Sequence, residues 1–112
     1  MTTPAPRHTG LAAGRWHELS LAEQLANVGA EVGRARRRRG PAEPAASPAL
    51  ERALELLDLT LADPRGRGRR KEIARTREML CDAAFGGREY GATLDDLDRY
   101  FLAFAVLARR GR

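Results

Sequence analysis

Cysteine, lysine, histidine and aromatic residues are all scarce in this chain, and each shortage removes a class of function. A single cysteine, Cys81, leaves no disulfide framework and no thiolate set for a metal. The two histidines, His8 and His17, stand near the start of the chain, so a histidine-paired nucleophile finds no support and the Glu-x-x-His pairs of di-iron bundles are missing. Neither a metal nor a cofactor is expected. Arg65-Gly66-Arg67-Gly68 lacks the spacing and the following Lys-Ser/Thr of a phosphate-binding loop. No apolar run reaches bilayer length, and no basic-then-apolar layout of a secretory signal opens the chain. A cytoplasmic, reducing location without a membrane partner is the expectation. This inventory leans away from an enzyme. With aromatics at 5%, the core must rest on leucine, alanine and valine.

What is abundant is arginine. The 112 residues carry a formal net charge of +5, and Lys71 is the only lysine. A guanidinium is a planar fork that grips phosphate or carboxylate through two hydrogen bonds, which an ammonium cannot do. A coding bias accounts for the same composition, since alanine and glycine are also plentiful. At this length the chain makes one small domain with one modest core.

The segment from Ser47 to Pro64 organises the rest. Ser47 can cap a helix, Pro48 suits the first helical position, and Pro64 forbids continuation. At about 100° per residue, Leu50, Leu54, Leu57 and Leu61 fall in one stripe, with Ala53 and Thr60 beside it. Leu56 widens the apolar arc, which predicts the central helix of a bundle, over 48–62. Residues 1–15 have prolines, glycines and no periodicity and read as a flexible tail. Trp16, the only tryptophan, is expected to plug one end of the bundle. Ser20-Leu21-Ala22-Glu23 is a capping box opening a helix over about 21–39, with Leu21, Leu25, Val28, Val32 and Ala35 inward. Residues 40–46 read as a linker. A helix over about 69–85 stops at Gly86-Gly87, and Thr93 with Asp95 and Asp96 opens a last helix over about 94–110. Short connections predict an all-α, up-down-up-down four-helix bundle over 16–112.

Three constellations could carry function. Asn27, Glu31, Asp58 and Arg77 are polar groups near apolar faces. They would form either an internal ion pair that sets register or a polar pocket for a small ligand. In the expected topology Arg34 and Arg36 to Arg39 lie beside Asp95, Asp96 and Asp98. The opposite pole collects Arg65, Arg67, Arg69, Arg70 and Lys71 with Arg109, Arg110 and Arg112, and few acids. It is the candidate anion or nucleic-acid site, a solvated surface being the plain alternative. No aromatics are interleaved there, which argues against a base-stacking platform. Lastly, Ala22, Ala26, Gly29 and Gly33 form a small-residue stripe. Glycine inside a helix costs about 1 kcal/mol against alanine, so another helix should approach closely, within the bundle or across a dimer. Leu102 and Val106 are expected to face outward and to add to a homodimer contact.

A small basic four-helix bundle of this kind resembles the HEPN class of prokaryotic helical proteins. Trp16-His17-Glu18-Leu19-Ser20-Leu21-Ala22-Glu23-Gln24-Leu25-Ala26-Asn27 and the segment from Glu51 to Pro64 are similar to small uncharacterised prokaryotic proteins. The HEPN resemblance implies work beside a nucleotidyltransferase or within a toxin–antitoxin pair. That family's ribonuclease motif, an arginine followed four to six residues later by a histidine, has no counterpart here, because Arg15 and His17 are too close. Ribonuclease activity is therefore not implied. The expected function is a non-catalytic helical module that self-associates and binds a protein partner. A nucleic-acid-associated bundle and a small-ligand pocket or enzyme are the alternatives.

Overall fold

In the computed structural model, which describes residues 11–38, 48–84 and 93–110 (side chains from 14 onward), five α-helices account for most of the described residues, and no strand is present among them. They are α1 (Leu11–Trp16), α2 (Leu21–Arg38), α3 (Pro48–Ala62), α4 (Arg70–Ala84) and α5 (Leu94–Arg110), with a 3-10 turn over Pro64–Arg69 between α3 and α4. The Ser47 cap, the 40–46 linker, the Gly86-Gly87 stop and Arg112 lie outside the described residues.

Local chemistry sets the ends. The Ser20 amide donates to Glu23 Oε1 at 2.9 Å and the Glu23 amide to Ser20 Oγ at 3.1 Å, the reciprocal pair of a capping box. Thr93 and Asp96 repeat the arrangement ahead of α5, at 3.0 and 3.2 Å. Both amide and hydroxyl of Thr93 hold the Asp96 carboxyl below its usual range, the charge a helix N-terminus favours.

Two expectations are revised. Leu11 to Arg15 belong to a short helix rather than to a tail, because Trp16 is buried and its indole N–H donates to Thr60 Oγ1 at 3.0 Å, which pins α1 to α3. The helix expected from residue 69 begins at Arg70, since Pro64 and the Asp63 side chain first wind residues 64–69 into a 3-10 turn.

Leu25, Val28 and Val32 of α2, Ala53 and Leu57 of α3, Ile73 and Leu80 of α4 and Leu97 and Phe101 of α5 meet in one core with almost no exposed surface. On α3 the buried face is centred on Ala53, Leu56, Leu57 and Thr60, while Leu54 and Leu61 are only half-buried. The helix is thus turned slightly from its leucine stripe, which brings Thr60 inside. Facing residues give the register. Gln24 and Glu31 of α2 meet Asp63 and Arg52 beside α3; Gly29 and Arg36 of α2 meet Phe101 and Asp98 of α5; and Glu72 of α4 meets Tyr100 of α5.

Candidate functional site

Polar chemistry is concentrated where α1, α2, α3 and the 3-10 turn converge. Gln24 sits in the apolar stripe of α2 and is fully buried, and Asp63, which caps the turn, is 3% exposed. The Gln24 amide nitrogen donates to Asp63 Oδ2 and to the Trp16 carbonyl, each at 2.9 Å. The Arg65 backbone amide donates to Asp63 Oδ1 at 3.0 Å. Its guanidinium reaches Asp63 Oδ2 at 2.6 Å and the Leu19 carbonyl at 2.6 Å. Thr60 accepts from Trp16 and donates to the Leu56 carbonyl at 3.1 Å, completing the cluster. Hydrogen bonds from the Arg65 side chain, then from its backbone and from Gln24, outweigh burial and hold the Asp63 carboxyl well below the usual carboxylate range. A buried charge is tolerated only when so paired. One atom is left over: Gln24 Oε1 is buried and has no hydrogen-bond partner among the described residues. The cluster fastens α1, α2, α3 and the 3-10 turn together.

Sequence reasoning missed Gln24 and Asp63 as a site. The available signal was an amide at the third position after Leu21 and the fourth before Val28, inside the apolar stripe of α2.

The four expected pocket residues are not assembled. Arg77 and Asp58 do meet, at 2.7 Å, but their side chains are 34% and 57% exposed, so the pair lies on the surface. Glu31 pairs elsewhere, with Arg52 at 3.2 Å and Arg34 at 2.9 Å. Burial pushes its carboxyl up, and the two arginines more than compensate, leaving it lowered. Asn27 is exposed and donates to the Glu23 carbonyl at 2.8 Å. The physical reason is length: arginine side chains extend out of the apolar stripes to meet carboxylates at the rim. A shared internal pocket over these residues is corrected to the Arg77–Asp58 pair, a separate Glu31 paired with Arg34 and Arg52, and a backbone contact of Asn27.

The arginine pole divides in two. Arg65 belongs to the buried cluster. Arg69 donates to Glu72 at 2.9 Å and lies 5.4 Å from the centre of the Phe104 ring. Glu72 in turn accepts from Tyr100 Oη at 2.6 Å. Burial and then that carboxylate push the Tyr100 hydroxyl up to about 12. Arg67, Arg70 and Lys71 are exposed, have no carboxylate partner among the described residues, and line a cleft of about 450 Å³ with Gly68 and Ala74. Arg109 and Arg110 are exposed at the end of α5. Asp63 caps the turn that leads into α4, so what this pole offers an anion is side-chain charge.

The small-residue stripe lies against α5 of the same chain. A Cβ on Gly29 would come within 2.5 Å of the Phe101 Cβ, and one on Gly33 within 3.2 Å of Asp98 Oδ1. Beside this contact, Ala26, Gly29, Ala30 and Gly33 form one wall of a groove of about 260 Å³, facing Leu102 and Ala105. Ala22 is half-buried one turn before it. Leu102, Val106 and Leu107 are 61%, 44% and 52% exposed, and they are the exposed large hydrophobics of the described residues.

Cys81 is half-buried, and no group of three or more metal-ligating side chains is present among the described residues. Among these residues no helix is long and apolar enough to cross a membrane. Neither the models of known protein families nor the curated proteins nor the solved structures contain a significant match to this chain.

Proposed function

We propose that this chain is a non-catalytic helical interaction module that self-associates through the flank formed by α2 and α5 and so presents a paired surface to a protein partner. The four long helices are taken as an up-down-up-down bundle, with α1 closing one end. A single observation carries the reading: the exposed large hydrophobics Leu102, Val106 and Leu107 all belong to α5. A second copy of the chain is the occupant that fits. The flank carries a projecting leucine and, next to it, a groove walled by Ala26, Gly29, Ala30 and Gly33, so it holds both the knob and the hole that a two-fold contact requires. It also carries both signs of charge, Arg37 and Asp98, at one end of the groove.

Light scattering on a size-exclusion peak tests this reading. The full chain is expected to run as a dimer at roughly 50 µM and to dissociate on dilution, as micromolar complexes do. Leu102→Glu places a charge in the contact and should give a monomer, with a melting temperature equal to that of wild type diluted to its monomeric form, since the residue is 61% exposed within one chain. A monomer at every concentration overturns the proposal.

A further inference from the structure

Three cations of the pole without a carboxylate partner among the described residues, Arg67, Arg70 and Lys71, form a row. Arg67, Arg70, Lys71 and Ala74 follow one another at intervals of three, four and seven residues from Arg67, which places them on one side of the turn and the helix that continues it. Exposed Arg75, four residues after Lys71, extends the row. With rises of about 2.0 Å per residue in the 3-10 turn and 1.5 Å in the helix, Arg67 to Arg75 spans ~13 Å. A row of this length can reach more than one phosphate of a strand.

Gly68 lines the same cleft. A Cβ there would meet nothing within 4 Å, so packing does not demand a glycine at this position. A larger side chain at this position adds bulk to the lining without changing charge. Neighbouring cations of the same turn, Arg65 and Arg69, are held by Asp63 and Glu72, so the row is what remains after the fold's own needs are met.

We propose that the Arg67–Arg70–Lys71 row binds the phosphodiester backbone of a nucleic acid. Recognition is by charge and spacing and carries no sequence preference, because no aromatic side chain lines the cleft to stack a base. The row lies at the start of α4, and the cleft along it shares no lining residue with the groove beside Leu102.

The test is binding of a labelled duplex and of its single strand to the full chain across a salt series. Three variants are compared with the wild type. Arg70→Gln with Lys71→Gln removes two charges from the row. Arg77→Gln with Arg99→Gln removes two exposed charges elsewhere and keeps the same net charge. Gly68→Leu fills the cleft without changing charge. The expected result is micromolar binding at about 100 mM salt. For the row variant, the slope of log affinity against log salt on the duplex should fall by about 2. Gly68→Leu should weaken binding roughly tenfold with its melting temperature unchanged, and the Arg77/Arg99 control should match the wild type. Equal losses in row and control variants would mean diffuse net charge and overturn the proposal. So would loss of all binding by about 150 mM salt, or full displacement by a few millimolar inorganic phosphate at constant ionic strength.

Discussion

Arg65 and Arg67 stand two residues apart on one turn, and the fold uses them in opposite ways. The guanidinium of Arg65 bridges the buried Asp63 carboxylate and the Leu19 carbonyl, joining the turn to the segment ahead of α2. That of Arg67 lines an open cleft with no carboxylate in reach among the described residues. The difference comes from the turn. A 3-10 segment has three residues per turn, so one position in three faces inward: Gly66 is buried against the core while Arg67 and Gly68 face outward. An arginine-rich composition thus contains two populations, one that the fold cannot lose and one that it does not need.

The largest expected effect follows from removing the carboxylate that the inner population serves. Asp63→Ala leaves the Gln24 amide buried with one partner fewer and Arg65 with no counter-charge. Breaking a buried, hydrogen-bonded pair from one side should cost about 3 kcal/mol, or roughly 10–20 °C in melting temperature. Arg67→Gln should change stability by less than about 0.5 kcal/mol. The contrast also depends on pH. The Asp63 carboxyl titrates well below the ordinary aspartate value of 3.8, so its contribution is complete above that pH and is lost as pH falls toward the folded value. Denaturant midpoints of wild type and Asp63→Asn should therefore differ most near neutrality and converge in acid. A gap that stays constant down to about pH 2 would show that Asp63 acts without its charge.

How much of this was legible in sequence depends on the range of each interaction. The capping residues Ser20 with Glu23 and Thr93 with Asp96 act within one turn, and their spacing shows directly what they do. Pro48 and Pro64 bracket α3 for equally local reasons. The exposure of Leu102 and Val106 follows from helical periodicity on α5. The cluster around Asp63 was hidden because Gln24 and Asp63 lie 39 residues apart, and a single amide reads as a gap in an apolar stripe. Asp63 itself reads only as the residue before a proline. Arg77 misled for a related reason: its Cα lies in the inner stripe of α4, while its guanidinium reaches Asp58 at the surface. Periodicity locates a Cα and leaves the end of a long side chain undetermined.

A middle-sized effect sharpens the comparison at the level of the backbone. Gly66 and Gly68 are the glycines of the inner and outer sides of the turn. A Cβ on Gly66 would rest in ordinary contact with the Thr60 carbonyl, Leu21 and Ile73, at 3.8, 3.9 and 4.0 Å, so there is room for a methyl group and little more. Gly66→Leu should force these neighbours apart and cost about 2 kcal/mol by overpacking. Gly68→Leu meets open space and should be neutral within about 0.5 kcal/mol. Equal effects of the two substitutions in thermal unfolding would mean that the turn rotates to suit its side chains, and the division into inner and outer faces would fail.

The smallest expected effect separates contact distance from environment. Asp63–Arg65 and Asp58–Arg77 are both aspartate–arginine pairs, at 2.6 and 2.7 Å, so their geometry alone would rank them as equals. Their aspartates differ, at 4% and 57% exposed. In water the attraction of an exposed pair is screened and is offset by the entropy of holding two side chains in one geometry. Arg77→Gln should therefore cost at most about 0.5 kcal/mol, and about 0.5 M salt should remove most of that difference. The Arg65 side chain is itself 51% exposed, but the Asp63 carboxylate is buried and is held by Gln24 as well, so it should keep more of its contribution in the same salt. A loss at Arg77 comparable to that at Asp63, or a salt-insensitive one, would place the contact between α3 and α4 among the fold's necessary bonds. The distinction drawn from Arg65 and Arg67 would then follow from partner availability alone, without burial.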